Sequence, residues 1–349
     1  MTGFTRREFL RRLASGGAAL AGGWLLIACG AREQAGPATS QSPSRSLATP
    51  LPNQAQPPAP SPTLVAGETQ TSGMAPSSPY PHLVVARGGD PEEMVRRALA
   101  ALGGMERFVS AGDNVIVKPN ICVAYHSYEY AATTNPWVVA GLVRLALEAG
   151  ARRVRVMDYP FGGSAEEAYA RSGIQEQVLA AGGEMEVMSR FKFVKTDIPQ
   201  GLDIQRCDIY DDILNADVVI NVPIAKHHSL ARLTLGMKNL LGVVRDRPAM
   251  HRNLGQRLAD LTSRVQPRLT VVDAVRILMD HGPTGGDLDD VKQLNTVIVS
   301  PDIVAADSYA ATLFGLQPQD LSYIQAATAM GLGRSDLGGL KIEELSLGG

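Results

Sequence analysis

The chain has 349 residues, 45% of them hydrophobic and 19% charged, with a formal net charge of −2. That composition excludes wholesale disorder and collagen-like repetition and provides enough chain for one or two domains. A near-neutral balance lacks the basic face with which proteins displace counterions from phosphates, so no nucleic acid partner is expected.

The first residues carry Thr5-Arg6-Arg7-Glu8-Phe9-Leu10-Arg11 and then an apolar run rich in Ala, Gly and Leu as far as Ala28. This resembles a twin-arginine signal, which implies the twin-arginine export machinery as a partner. The apolar stretch is shorter than the roughly twenty residues of a permanent membrane helix. Leu26-Ile27-Ala28-Cys29-Gly30 resembles a bacterial lipobox, with Cys29 as the lipidation site; an uncleaved signal anchor with an incidental thiol is the alternative. Residues 30–81 hold eleven of the twenty-two prolines, with much Ser, Thr, Gln and Ala, and read as a disordered tether. Loss of residues 1–28 removes four arginines and one glutamate and moves the net charge from −2 to −5. Adhesion to anionic lipid is then not the mode of attachment. The expected location is extracytoplasmic, on the outer face of the cytoplasmic membrane, held by acylated Cys29.

From residue 82 to 349, short β-branched runs alternate with helical patterns. Strands are expected at Leu83–Ala86, Asn114–Lys118, Arg153–Asp158, Glu184–Met188, Asp217–Val222, Leu269–Val275 and Thr296–Ser300. Asp90-Pro91-Glu92-Glu93 and Thr134-Asn135-Pro136 mark helix starts, and the second helix ends at Gly150. A second βαβ unit is expected from Asp302 through Phe314. The fold class is α/β: a doubly wound, mostly parallel sheet with helices on both faces, as a single domain or two intimately joined lobes.

Polar residues gather where these strands end, the place where open α/β sheets bind ligands. Lys118-Pro119-Asn120 closes the run Val115-Ile116-Val117, so Lys118 either escapes to solvent or faces an anion or carboxylate. Asn221-Val222-Pro223-Ile224-Ala225-Lys226-His227-His228 follows another apolar run, and Gly236-Met237-Lys238-Asn239 opens a helix with Leu233, Met237, Leu240 and Leu241 on its apolar side. Adjacent histidines point different ways, so one of His227 and His228 is the economical choice for acid–base chemistry or a metal. Asp273 sits inside an apolar strand and must be paired, with the lysines of the other strand ends as expected partners. His281 follows in Asp280-His281-Gly282-Pro283-Thr284-Gly285-Gly286, and Asp307 is placed to project toward the same spot. Solvated strand ends, helix starts and flexible glycine loops would read the same way.

Asp158, at the end of Arg153–Met157, is set aside as a nucleotide signal because neither GxGxxG nor a Walker lysine motif accompanies it. Tyr125, His126 and Tyr128 read as a surface loop. GxSxG, HExxH and CxxC are all missing, which leaves the common hydrolase, zincin and thioredoxin mechanisms without support.

The motifs Val115–Asn120, Asn221–His228, Gly236–Gly242 and Val272-Asp273-Ala274, followed by His281-Gly282-Pro283 and Pro301–Asp307, resemble in order the family called domain of unknown function 362. The resemblance covers nearly all of residues 83–349. Many members of that family carry a ferredoxin-like segment with two cysteine-rich cluster motifs. Cys122 and Cys207 alone do not reproduce it, so an iron–sulfur cluster is not expected, and whether they pair is open.

The reading is an exported, lipid-anchored protein with an electropositive pocket at the strand tips. Lys118, Asn120, Lys226, Lys238, Asn239, Asp273 and Asp307 would bind an anionic small molecule, alone or with a metal ion of unknown identity. His227, His228 and His281 are the candidate catalytic groups. A tethered ligand-binding or assembly protein without turnover is the rival.

Overall fold

Strand β1 (Leu83–Arg87) leads into helix α1 (Pro91–Ala101), and β2 (Asn114–Pro119) into α2 (Pro136–Glu148). β3 (Arg153–Val156), α3 (Ala165–Arg171), α4 (Ile174–Ala180) and β4 (Glu184–Met185) follow. A separate hairpin of β5 (Phe193–Asp197) and β6 (Arg206–Tyr210) precedes α5 (Asp211–Asn215). Next come β7 (Val218–Val222), β8 (Ile224–His228), β9 (Arg232–Thr234), α6 (Gly236–Asn239), α7 (Arg247–Met250) and α8 (Leu254–Val265). The chain closes with β10 (Leu269–Leu278), β11 (Val291–Ser300), α9 (Ile303–Thr312), α10 (Ser322–Ala329) and β12 (Ile342–Ser346).

This computed structural model describes residues 78–348. The expected export signal, the expected lipobox with Cys29 and the expected tether up to residue 77 lie outside the described residues. Tyr80, near the end of the segment expected to be a tether, lies under the Arg107 guanidinium, its ring centroid 4.7 Å away. Among the described residues no helix is long and apolar enough to cross a membrane.

The main sheet has the order β12-β1-β11-β10-β7-β2-β3-β4, with β8 and β9 attached beside β10. It is mostly parallel; β11 runs antiparallel to β1 and β10, and β9 antiparallel to β8. Alternation along the strands sorts side chains into two cores. Leu83, Val85, Ile116, Val272 and Ile298 join α8, α9 and α10 on one face. Val84, Ala86, Val115, Val117, Val271 and Val299 join α1 and α2 on the other. The protein is therefore an α/β fold with helices on both faces, as its sequence pattern predicts.

The helix starts form as expected. Asp90 accepts hydrogen bonds from the N–H groups of Glu92 and Glu93, Asn135 from Trp137, and Asp302 from Ala305. Three expectations fail. The strand expected at Glu184–Met188 is only two residues long, while β10 and β11 extend beyond Leu269–Val275 and Thr296–Ser300 because they pair with each other over most of their length. The segment Asp302–Phe314 is not a second parallel βαβ unit. From β11 the chain passes through α9 and α10 and returns as β12 on the far side of β1, and those two strands run antiparallel because β1 is antiparallel to one and parallel to the other.

The chain winds outward from β2 in two directions. β3 and β4 add on one side, with α2 on one face; β7 and β10 add on the other, with α6 and α8 on the opposite face. The direction of winding reverses between β2 and β7, which places a crevice at the carboxyl ends of these two strands. Lys118 and Asn221 face each other in register there.

Candidate functional site

Lys118 shares its strand face with Ile116, so its side chain enters the core beneath α6. It is fully buried, and its Nζ lies 2.8 Å from Asp158 Oδ1, 3.0 Å from the Pro119 carbonyl and 3.2 Å from Asn239 Oδ1. Burial pulls the ammonium below its ordinary pKa, against the opposing pull of Asp158. The second carboxylate oxygen accepts the Ile121 N–H at 2.6 Å. Asp158, set aside on sequence grounds, is thus the counter-ion that the lysine required. Gly242 closes this pair in: a Cβ there would stand 2.0 Å from Asp158 Oδ1 and 2.5 Å from Lys118 Nζ.

Asn239 ties the strand tips together. Its Nδ2 donates to Asn221 Oδ1 at 2.9 Å and to the Lys118 carbonyl at 3.2 Å, while its Oδ1 accepts from Asn120 Nδ2 at 2.9 Å. The Asn120 carbonyl amide oxygen accepts in turn from Lys226 Nζ at 3.0 Å. Lys226 also donates to the carbonyls of Ala132 (2.6 Å) and Pro283 (2.7 Å) and lies 3.3 Å from Cys122 Sγ.

In front of this network opens a cavity of about 400 Å³. Lys226, Lys238, His228, Asn120 and Asn239 from the sequence reading line it, together with Cys122, Thr234, Arg247 and His251, which that reading missed. No motif flagged Arg247 or His251, because α7 is a single turn whose approach to the strand tips is a tertiary event. Lys238 is nine-tenths buried and makes no hydrogen bond or ion pair among the described residues. Burial, then the positive charges of Lys226 and Arg247, push its pKa down to about 7. His228 is pushed down to about 3, chiefly by burial and then by Lys238 and Lys226, so its ring is neutral. Its Nδ1 accepts the Leu230 N–H at 3.1 Å, which assigns the ring proton to Nε2. Thr234 Oγ1 is buried without a hydrogen-bond partner.

Several expected site residues lie elsewhere. Asp273 pairs with no lysine: it shares a strand face with Val271 and Val275, on the opposite side of the sheet from Lys118. Its carboxylate accepts the N–H groups of Asn135 (2.7 Å) and Val275 (3.0 Å), and burial raises its pKa to about 7. Asp307 does not reach the cavity either; it accepts the Gly236 and Met237 N–H groups at 2.6 and 2.9 Å, holding the start of α6. Burial raises its pKa to about 7 as well. His281 is exposed and pairs with Asp290 at 2.7 Å, which raises its pKa. His227 follows strand alternation to the side of β8 away from His228, where Nδ1 accepts the Gly282 N–H at 3.1 Å. The glycine loop therefore serves His227 and, through the Pro283 carbonyl, Lys226. Cys122 and Cys207 are both free thiols, the latter with its pKa pushed up to about 11 by burial. Among the described residues no three His, Cys, Asp or Glu side chains gather in a way that could hold a metal ion.

The architecture is that of an α/β protein with a cation-lined crevice at its topological switch point. The family model described as domain of unknown function (DUF362) matches residues 115–312, and the chain belongs to that family. The match takes in β2, β7, α6 and α9, and hence Lys118, Asp158, Lys226 and Lys238. A curated relative, a thylakoid-associated protein of Synechocystis, is 26% identical over 253 residues, covering 68% of this chain and 74% of its own. Among solved structures, the lactate racemase apoprotein of Thermoanaerobacterium thermosaccharolyticum aligns at 12% identity with a TM-score of 0.42 over 63% of this chain. A Thermotoga maritima protein aligns at 11% identity with a TM-score of 0.40 over 65% of this chain. The chain spans 54% and 60% of the lengths of these two proteins.

Proposed function

We propose that residues 78–348 bind a small organic anion in the cavity at the strand tips. The observation that carries this reading is charge imbalance. Lys226, Lys238 and Arg247 line the cavity, while its one carboxylate, Asp158, is already paired with Lys118. Buried positive charge without a counter-ion is costly unless a ligand supplies the negative partner. The Thr234 hydroxyl and the His228 Nε2–H offer neutral donors to the same anion. The cavity volume falls within the range of about 300–1,000 Å³ common for small-molecule sites.

Calorimetric titration with a panel of mono- and dicarboxylates and phosphate esters tests the reading. Saturable binding that disappears in Lys238→Met supports it; no binding by any of them, or binding untouched by the substitution, overturns it. Product formation from a bound anion would make the domain an enzyme, and binding without product a receptor.

We also propose export by the Arg6-Arg7 signal and anchoring through Cys29, a reading supported by the order of signal, lipobox and Pro-rich segment in the sequence. Cys29→Ala should release the folded protein from membranes. Retention of that variant in the membrane fraction would end the lipoprotein reading.

A further inference from the structure

Three lysines enter the interior around the cavity, and their hydrogen bonding separates them. Lys118 has three acceptors for its three N–H groups, one of them a carboxylate. Lys226 meets two carbonyls, an amide oxygen and a thiol sulfur. Both are held by acceptors of the protein itself. Lys238 lines the cavity as Lys226 does and is nine-tenths buried, but it has no acceptor among the described residues. Its position on α6 is fixed from both ends, by Asp307 at Gly236 and by Asn239 at the strand tips. A lysine desolvated beside other cations is a group that proteins use as a nucleophilic amine.

We propose that Lys238 forms an imine with the carbonyl carbon of an anionic oxo compound, a 2-oxo acid with an apolar side chain. The inference rests on the reading of the cavity as an organic-anion site. Lys226 and Arg247 remain cationic neighbours for the carboxylate, and exposed Phe161 and Leu230 line the same cavity with apolar surface. The neutral amine's lone pair adds to the carbonyl carbon, and one proton passes from nitrogen to the former carbonyl oxygen, giving a carbinolamine. That hydroxyl takes a second proton and leaves as water while the nitrogen lone pair closes the C=N bond. Amine, carbonyl and one proton therefore become a protonated imine and one water. Thr234, whose hydroxyl has no partner, and His228, with its Nε2–H, line the cavity as donors to the departing oxygen. The fall of the Lys238 pKa to about 7 leaves a substantial neutral fraction at physiological pH.

The test uses the purified full chain with pyruvate or phenylpyruvate and sodium cyanoborohydride, which reduces an imine to a stable secondary amine. Intact mass and peptide mapping should show one adduct, on Lys238, formed about tenfold or more faster than on any exposed lysine. Phenylpyruvate should label faster than pyruvate, and Lys238→Arg should remain unlabelled while still folded. At saturating oxo acid, labelling should rise with pH through about 7 and then level off. Absence of the adduct, or label spread over surface lysines at equal rates, overturns the imine. Calorimetry with 3-phenylpropionate, which has no ketone, separates the two readings. Its Lys238-dependent binding without any adduct from phenylpyruvate would leave the anion site standing and remove the nucleophile. Failure of both would remove both.

Discussion

Asn239 divides two regions of opposite electrostatic character. Behind it, Lys118 and Asp158 form a buried ion pair 2.8 Å long, with further acceptors for the ammonium and a backbone donor for the carboxylate. In front of it, Lys238 is nearly as buried but has no partner among the described residues, and the charges that act on it most are other cations. The first arrangement neutralises charge inside the protein and holds β2 against the loop after β3. The second leaves charge uncompensated at the wall of a cavity. A protein tolerates the second only at a modest cost in stability, and such costs concentrate where ligands bind.

That comparison can be broken most directly at the ion pair. Asp158→Ala should cost on the order of 3–5 kcal/mol in chemical denaturation, because it strands the Lys118 ammonium in the core. Gly242→Ala should be comparably damaging, since its Cβ has no room beside the pair. Replacing both charges, as Lys118→Met with Asp158→Leu, should recover much of the loss. A cost below about 1 kcal/mol for Asp158→Ala would mean that the pair is not the support described above.

The two faces of the sheet give the next test. Asp307→Ala and Asp273→Ala each strand two buried N–H groups and should each cost about 1–3 kcal/mol. Only Asp307→Ala should also weaken anion binding, because it loosens α6, which carries Lys238. Equal losses of affinity in calorimetry would contradict the assignment of Asp273 to the far face.

The pH dependence of Lys238 sharpens the comparison further. Its folded-state pKa of about 7 lies below the ordinary 10.5, so between those values the unfolded chain binds more protons than the folded one. The wild-type protein should therefore gain stability relative to Lys238→Met as pH rises from about 7 toward 10.5, by at most about 1.4 kcal/mol per pH unit. Denaturation curves of both proteins across that window measure it, and a flat difference would mean that Lys238 is ordinarily solvated. Anion affinity should move the other way, falling above pH 7 as the ammonium deprotonates.

The smallest effect belongs to His281. It is exposed and paired with Asp290 away from the cavity, so His281→Ala should leave anion affinity within about twofold. A larger loss would bring the glycine loop back into the site.

How much of this was legible in the sequence depends on the range of the interactions involved. Alternation, caps and apolar runs are local, and they identified β1, β2, β3, β7, both Pro-initiated helices and the α/β class. They also marked Lys118, Lys226 and Lys238 as polar groups too close to apolar runs to be indifferent. Period-two alternation put His227 and His228 on different sides. The same rule shows that Asp273 faces with Val271 and Val275, yet it cannot say which face of the sheet also receives Lys118. That is decided by how α2 and α6 settle on opposite sides of the strands. Asp158 was visible as a strand-end carboxylate, but its partner lies forty residues away on a neighbouring strand, and only parallel pairing of β2 and β3 brings them together. Arg247 and His251 carried no local signal at all. Sequence alone determined which residues could not be left unpaired; tertiary structure decided which were satisfied and which were left facing the cavity. The reason is physical: burial and hydrogen-bonding demand belong to each residue type, whereas the partner that meets the demand is supplied by register, strand order and helix packing.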